Sequence, residues 1–214
     1  MGSNVTLDVA LFLGLLATVG VARLVEMRLS RRHQRELAAR GFSREPESGF
    51  WMMVTLHTAV LVGAAIEVVV ARRPLVLPLA LSALVILVLA NGLRAWVIRA
   101  MAEHWNVNVV NSLGMGVVSA GPFRFVRHPN YVAVFVELLA LPLIHTAYVT
   151  ALVGAALHLF VLRRRIALED GILLRDPAYR AAMGDKPRFV PSFMPRAPRS
   201  PSRAPRSPSR DLRP

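Results

Sequence analysis

Apolar residues in this chain come in long uninterrupted runs; neither the two-residue alternation of strands nor the stripe of a soluble amphipathic helix is present. Residues 5–22 are apolar except for Thr6, Asp8 and Thr18, and residues 50–71 and 75–98 form two further runs. Twenty-two helical residues reach about 33 Å, enough to cross a hydrocarbon core of about 30 Å. Each run therefore predicts a membrane-spanning helix. Arg23, Glu26 and Ser30 follow the first run at helical spacing, so that helix is expected to continue beyond its apolar part until Gly41 stops it. The third run ends in Asn91, Arg94, Trp96 and Arg99, a mixture suited to an interface. A fourth apolar stretch covers 132–162; as one helix it would be about 46 Å long. Pro142 and His145-Thr146 near its middle predict instead two segments, 132–144 and 147–162, folded back as a hairpin. The pattern gives an all-α, polytopic integral membrane protein with about five transmembrane segments.

Composition agrees and charge adds a direction. The 214 residues are 54% hydrophobic and only 18% charged, with mean hydropathy +0.46, outside the usual range of soluble domains. Lys and Arg number seven in 23–49, four in 94–131 and thirteen in 163–214, against two, Arg72 and Arg73, on the opposite side of a hairpin topology. One long helix at 132–162 would move the last thirteen across the bilayer, against the positive-inside bias. The expected arrangement has the N-terminus outside and the C-terminus in the cytoplasm. With no basic region before residue 5 and no small-residue cleavage site, the first run reads as a retained helix and not a signal peptide. Met1 to Thr6 fits a loose myristoylation pattern, which a bacterial-looking membrane chain would not use. The net charge of +13 flanks apolar spans without interleaved aromatics, which suits anionic membrane lipids and not nucleic acid. Residues 1–194 are expected to form the membrane domain, with a cytoplasmic segment at 163–194. Residues 195–214, containing a seven-residue Arg/Pro/Ser repeat at 196–202 and 203–209, read as a disordered basic tail.

Candidate chemistry concentrates in one stretch, Gly121-Pro-Phe-Arg-Phe-Val-Arg-His-Pro-Asn-Tyr131. Pro129 biases His128 away from helical geometry, so this is a shaped turn at a membrane surface. Glu67 and Glu137 fall inside apolar spans, where a charged carboxylate costs roughly 2.5–3.5 kcal/mol, so each must pair, face the bundle or be protonated. Glu137 lies under two turns beyond Tyr131 and is expected near the floor of a pocket there; Glu67 is expected to be structural. His57, His145 and His158 read as packing histidines. Zero cysteines exclude thiolate metal sites and cysteine nucleophiles, and no HExxH, G-x-S-x-G or P-loop motif is present. Gly114-Met-Gly116 is too short for a dinucleotide fingerprint. The remaining arginines, histidine, tyrosine and carboxylates suit an anionic or zwitterionic ligand beside the membrane.

The stretch from Gly121 to Tyr131 resembles the hallmark of the isoprenylcysteine carboxyl methyltransferase family, which is related to membrane phospholipid methyltransferases. The likeness extends through Glu137, Pro142-Leu143, Arg165-Ile166 with Glu169, and Tyr179 followed by Arg188 and Pro191, and covers roughly residues 90–192. Arg23, Glu26, Ser30, His57, Glu67, Arg94 and Trp96 look more like the family's bacterial branch, associated with methylating lipid-like polyketides. Glu169-Asp170 departs from the family's frequent Glu-Glu, and no second tyrosine follows Tyr179. The resemblance implies an S-adenosyl-L-methionine-dependent methyltransferase in the bacterial inner membrane. Its active site would face the cytoplasm and its acceptor would be a lipophilic or lipid-modified molecule. It further implies that Arg127, His128, Pro129 and Tyr131 line the cofactor, that Gly121 and Pro122 shape the turn, and that Arg165 and Glu169 close the site. Arg164, Arg165 or Arg188 would orient the acceptor oxygen, and Glu137, Glu169 or His128 could serve as base for a phenolic or enolic acceptor. A carboxylate acceptor would need none. Two other readings stand beside this one: an NADPH-dependent sterol-type reductase, and a non-catalytic adaptor that recruits anionic lipid.

Overall fold

The computed structural model describes residues 6–42, 49–107 and 116–191, all helix, turn or coil. The start of the myristoylation pattern, Arg44, Gly114 and the repeat tail lie outside the described residues. Among the described residues six α-helices follow in order: α1 Leu7–Ala39, α2 Gly49–Val70, α3 Leu77–Met101, α4 Pro129–Leu143, α5 Tyr148–Leu173 and α6 Pro177–Met183. Short 3-10 turns at Ala102–His104 and Gly121–Arg124 lead into and out of the segment between α3 and α4. Among the described residues three helices, α1, α2 and α3, are long and apolar enough to cross a membrane, while α4 is a shorter apolar helix.

The burial pattern is that of a protein surrounded by lipid. Leu11, Val21, Ile66, Leu81, Val88, Leu89, Leu152 and Phe160 are exposed, whereas His128, Glu137, His145, His158, Arg165 and Asp170 are buried. A water-soluble surface avoids contiguous apolar patches of this kind. Close approach of the helices relies on small residues: Ala64, Ala80, Ala83, Ala140 and Ala147 form one core cluster with Phe12, Leu16 and Leu87, as expected where lipid supplies no hydrophobic contrast. At Gly154, where helices meet, an added Cβ would stand 2.7 Å from Val60 Cγ2 and 3.3 Å from Leu138 Cδ2.

Helix α1 continues past its apolar half, as the Arg23, Glu26, Ser30 spacing predicts. It ends where Gly41 takes φ +86° and Gly41 N–H donates to Ala38 O, a left-handed stop that glycine adopts without strain. The fold-back near Pro142 is present: α4 ends at Leu143, α5 starts at Tyr148, and Thr146 between them has φ +54°. Glu67 is structural, as expected. It accepts bonds from Thr150 N (2.8 Å), Thr150 Oγ1 (2.8 Å) and Val149 N (3.2 Å), satisfying the free amides at the start of α5, while Arg73 pairs with it at 2.8 Å.

The boundary expected at 162/163 is not a break in the backbone, since α5 runs unbroken from Tyr148 to Leu173. Arginine, leucine, alanine and glutamate there are good helix formers, and Leu162 and Ile166 bury against Tyr131. The return helix thereby carries the residues beyond Arg163 directly onto the turn that precedes α4.

Candidate active site

Pro129 is the first residue of α4, and His128 before it is non-helical with φ −123°, as a residue before proline tends to be. Gly121 opens the preceding turn with φ +58°; a Cβ there would lie 2.9 Å from Ala100 Cβ and 3.1 Å from Trp96 Nε1. The turn is thus seated on α3. From the other side the chain after α6 pairs with it, Arg127 N–H donating to Pro187 O (2.9 Å) and His128 N–H to Arg188 O (3.0 Å).

Asp170 of α5 joins these pieces. His128 Nε2 donates to its Oδ1 at 2.9 Å, Arg127 Nη1 reaches Oδ1 at 3.3 Å, and Arg188 Nε and Nη2 both lie 2.9 Å from Oδ2. Burial pushes the Asp170 carboxyl up, but the His128 hydrogen bond and the charges of His128, Arg127 and Arg188 outweigh it and hold the group below its ordinary range. One residue earlier, Glu169 accepts the Tyr131 hydroxyl. Tyr179 of α6 lies close by, its hydroxyl pushed up by burial first and by the Glu169 charge second.

A second polar cluster ties α1, α3 and α4 deeper in the bundle. Glu26 takes Arg23 Nη1 at 2.8 Å and is gripped by Arg94 through Nε (2.9 Å) and Nη2. Arg23 Nη2 also meets Asn91 Oδ1 at 3.2 Å and Glu137 Oε1 at 3.6 Å. Two arginines and two carboxylates make the group neutral overall, which is what a low-dielectric interior requires. Further along α1, Ser30 and Gln34 hold Asn106 and His33 Nδ1 donates to Trp105 O at 2.8 Å. Arg165 Nη2 donates to Val107 O at 2.6 Å. The strip 105–107 is therefore clamped between α1 and α5.

A cavity of about 460 Å³ connects the two clusters, within the usual range for small-molecule sites. One end holds Arg127, His128, Asn130, Tyr131 and Glu169; toward α1 and α2 the apolar Gly20, Leu24, Met53, Val54 and Leu61 line it beside Arg23, Glu26 and His57. At the polar end Arg127 Nε and Asn130 Oδ1 are buried with no hydrogen-bond partner among the described residues, an unsatisfied donor and acceptor beside the cavity.

Of the residues singled out from the sequence, Arg127, His128, Pro129, Tyr131, Arg165 and Glu169 line this cavity. Gly121 and Pro122 do not line it and act on the backbone of the turn. Three assignments need correction. Arg164 lies exposed on the outer face of α5 with its guanidinium 4.5 Å from the Phe160 ring centre, because adjacent helix positions point about 100° apart and Arg165 takes the inward one. Arg188 clasps Asp170 from the exposed side and does not line the cavity. Glu137 sits behind Arg23 and is not a cavity wall either. Asp170, the hub of the turn, was visible in the sequence only as half of an acidic pair with Glu169.

Residues 83–175 match the model of the isoprenylcysteine carboxyl methyltransferase (ICMT) family. That range holds most of α3, the turn, the α4–α5 hairpin and the Glu169-Asp170 pair. YpbQ, an uncharacterised protein of Bacillus subtilis, is 28% identical over 160 residues, covering 74% of this chain and 94% of that protein. An uncharacterised protein of Haemophilus influenzae is 29% identical over 160 residues, covering 73% and 91%. Residues 83–175 of the chain are thus similar in sequence to the isoprenylcysteine carboxyl methyltransferase family.

Proposed function

We propose that the protein is an S-adenosyl-L-methionine-dependent methyltransferase that methylates a carboxylate or a phenolic or enolic oxygen of a lipid-like acceptor at the cytoplasmic face of the membrane. The observation that carries this reading is one shared cavity that runs from the polar turn to α1 and α2, where aliphatic side chains line it beside Arg23, Glu26 and His57. A polar cofactor from the cytosol and an acceptor from the bilayer have to meet in such a space. The unpartnered Arg127 Nε and Asn130 Oδ1, with Glu169 and Tyr131, fit the carboxylate, amine and ribose hydroxyls of S-adenosylmethionine. When bound, that group supplies an electrophilic methyl on a cationic sulfur. Asp170 fixes the His128 ring and the Arg127 guanidinium, and Arg165 braces the strip 105–107 that walls the cavity. Arg165, Arg94 and Arg23 also line it and can orient an anionic acceptor oxygen. In-line transfer depends chiefly on such alignment, worth several kcal/mol.

The topology that goes with this reading has five membrane segments, the hairpin supplying the last two. The N-terminus lies outside, and the turn and the α5 C-terminus lie on the cytoplasmic side, where most of the arginines sit. The deciding experiment is calorimetric binding of S-adenosylhomocysteine against NADPH, followed by transfer of tritiated methyl to membrane lipid extracts. Binding of S-adenosylhomocysteine with labelled lipid product is expected. Tight NADPH binding alone would move the chain to the reductase reading, and binding of neither would favour the lipid adaptor.

A further inference from the structure

The wall of the cavity is broken between α1 and α2. Gly20, Leu24 and Met27 line it from α1, and Val54, Thr58 and Leu61 from α2. In each helix the three residues stand four and three apart, which puts them on one stripe. Leu24 is 56% exposed and Thr58 is exposed as well, so the cavity reaches the outer surface of the bundle along this seam. Arg23 and Glu26 turn from it toward Asn91, Glu137 and Arg94, which leaves the polar lining inside and the aliphatic stripes at the rim. Gly20 sets the width of the seam. A Cβ built there meets only Leu61 Cδ1, at 3.7 Å, whereas a longer side chain would have to fill the gap. Met27, unbranched and adaptable, stands where the exposed Arg28, Arg31 and Arg32 begin.

We propose that this seam is an opening through which the acceptor's hydrocarbon chain projects into the bilayer, with Gly20 as its gate, and that the site therefore selects acceptors by their reacting head and not by chain length. This rests on the methyltransferase reading above. A cavity of about 460 Å³ is sized for one drug-sized ligand. With a nucleoside sulfonium at the turn it holds the acceptor's head but not a whole chain as well. A methylene that stays among lipid chains gains nothing by lying in the seam, since lipid is as apolar as leucine. An enclosed pocket, by contrast, weighs each methylene.

The test uses the full-length protein in detergent, tritiated S-adenosylmethionine and a bacterial membrane lipid extract, with the labelled products separated by chain length. The wild type is expected to label acceptors in proportion to their share of the extract, whatever their chain length. Gly20→Phe should lower transfer at least ~10-fold, the scale on which a filled apolar subsite discriminates. Its affinity for S-adenosylhomocysteine should be unchanged, which reports folding; Gly20→Val replaces the variant if it is not. Adding Leu61→Ala to Gly20→Phe reopens the seam and should restore most of the transfer. Gly14→Phe puts the same ring on an exposed part of α1 outside the cavity and should transfer as the wild type does. Undiminished transfer by Gly20→Phe, no recovery with Leu61→Ala, or an equal loss in Gly14→Phe would overturn the gate. A wild type confined to one chain length of several present, or one that labels only water-soluble acceptors, would overturn the opening itself. Failure of the wild type to bind S-adenosylhomocysteine would instead remove the methyltransferase reading.

Discussion

Asp170 concentrates more of the site's electrostatics than any other single side chain, holding Arg127, His128 and Arg188 at once. Asp170→Asn keeps the shape but removes the charge that compensates two arginines. A loss of about 3 kcal/mol is expected in denaturant unfolding, since breaking one partner of a buried pair strands the other. The carboxyl is depressed in the folded state, so its contribution is fully present above the unfolded value of about 3.9. It is lost as pH falls through the lower folded value. Acid unfolding of the wild type should therefore steepen below about pH 4, and Asp170→Asn should abolish that component; an unchanged acid profile would contradict the role. Gly121 belongs to this scale too. Gly121→Val must clear Ala100 and Trp96 at positive φ and should lower S-adenosylhomocysteine affinity more than 10-fold while leaving helix content by circular dichroism intact.

Among the elements, the hairpin decides the site, because it brings Tyr131 at the start of α4 to Glu169 near the end of α5. Its two fixings can be tested separately. Glu67→Gln removes the carboxylate that caps α5 and pairs with Arg73, and should cost about 1 kcal/mol, the usual worth of a helix cap. Gly154→Leu pushes into Val60 and Leu138 where α2, α4 and α5 meet and should lower thermal stability further than Glu67→Gln; equal midpoints would disprove the tight packing. The hairpin was legible in the sequence because one apolar run was too long for a bilayer and carried Pro142 in its middle. The unbroken course of α5 to Leu173 was not, since charge at Arg163 marks a change of solvent and not a change of backbone. Likewise the inward placement of Arg165 and outward placement of Arg164 depend on helix rotation, which the local run of three arginines does not encode. The pairing of Glu137 with Arg23, more than a hundred residues away, has no local signature.

At the scale of the whole molecule, polar side chains collect inside and aliphatic ones outside. The chain contains no cysteine, so single-cysteine variants report topology without background. Labels at Gly41 and Arg175 should react from the cytoplasmic side of oriented vesicles, and one at Arg72 only from the other. Accessibility of Arg175 and Arg72 from the same side would eliminate the five-segment arrangement. The apolar end of the cavity, at Gly20, Leu24 and Leu61, has a kinetic consequence. An acceptor that arrives sideways out of the lipid is diluted by lipid and not by water. Turnover should then follow the acceptor's mole fraction in the bilayer or micelle. Extra inert detergent at constant total acceptor would slow the enzyme, while extra buffer would leave it unaffected.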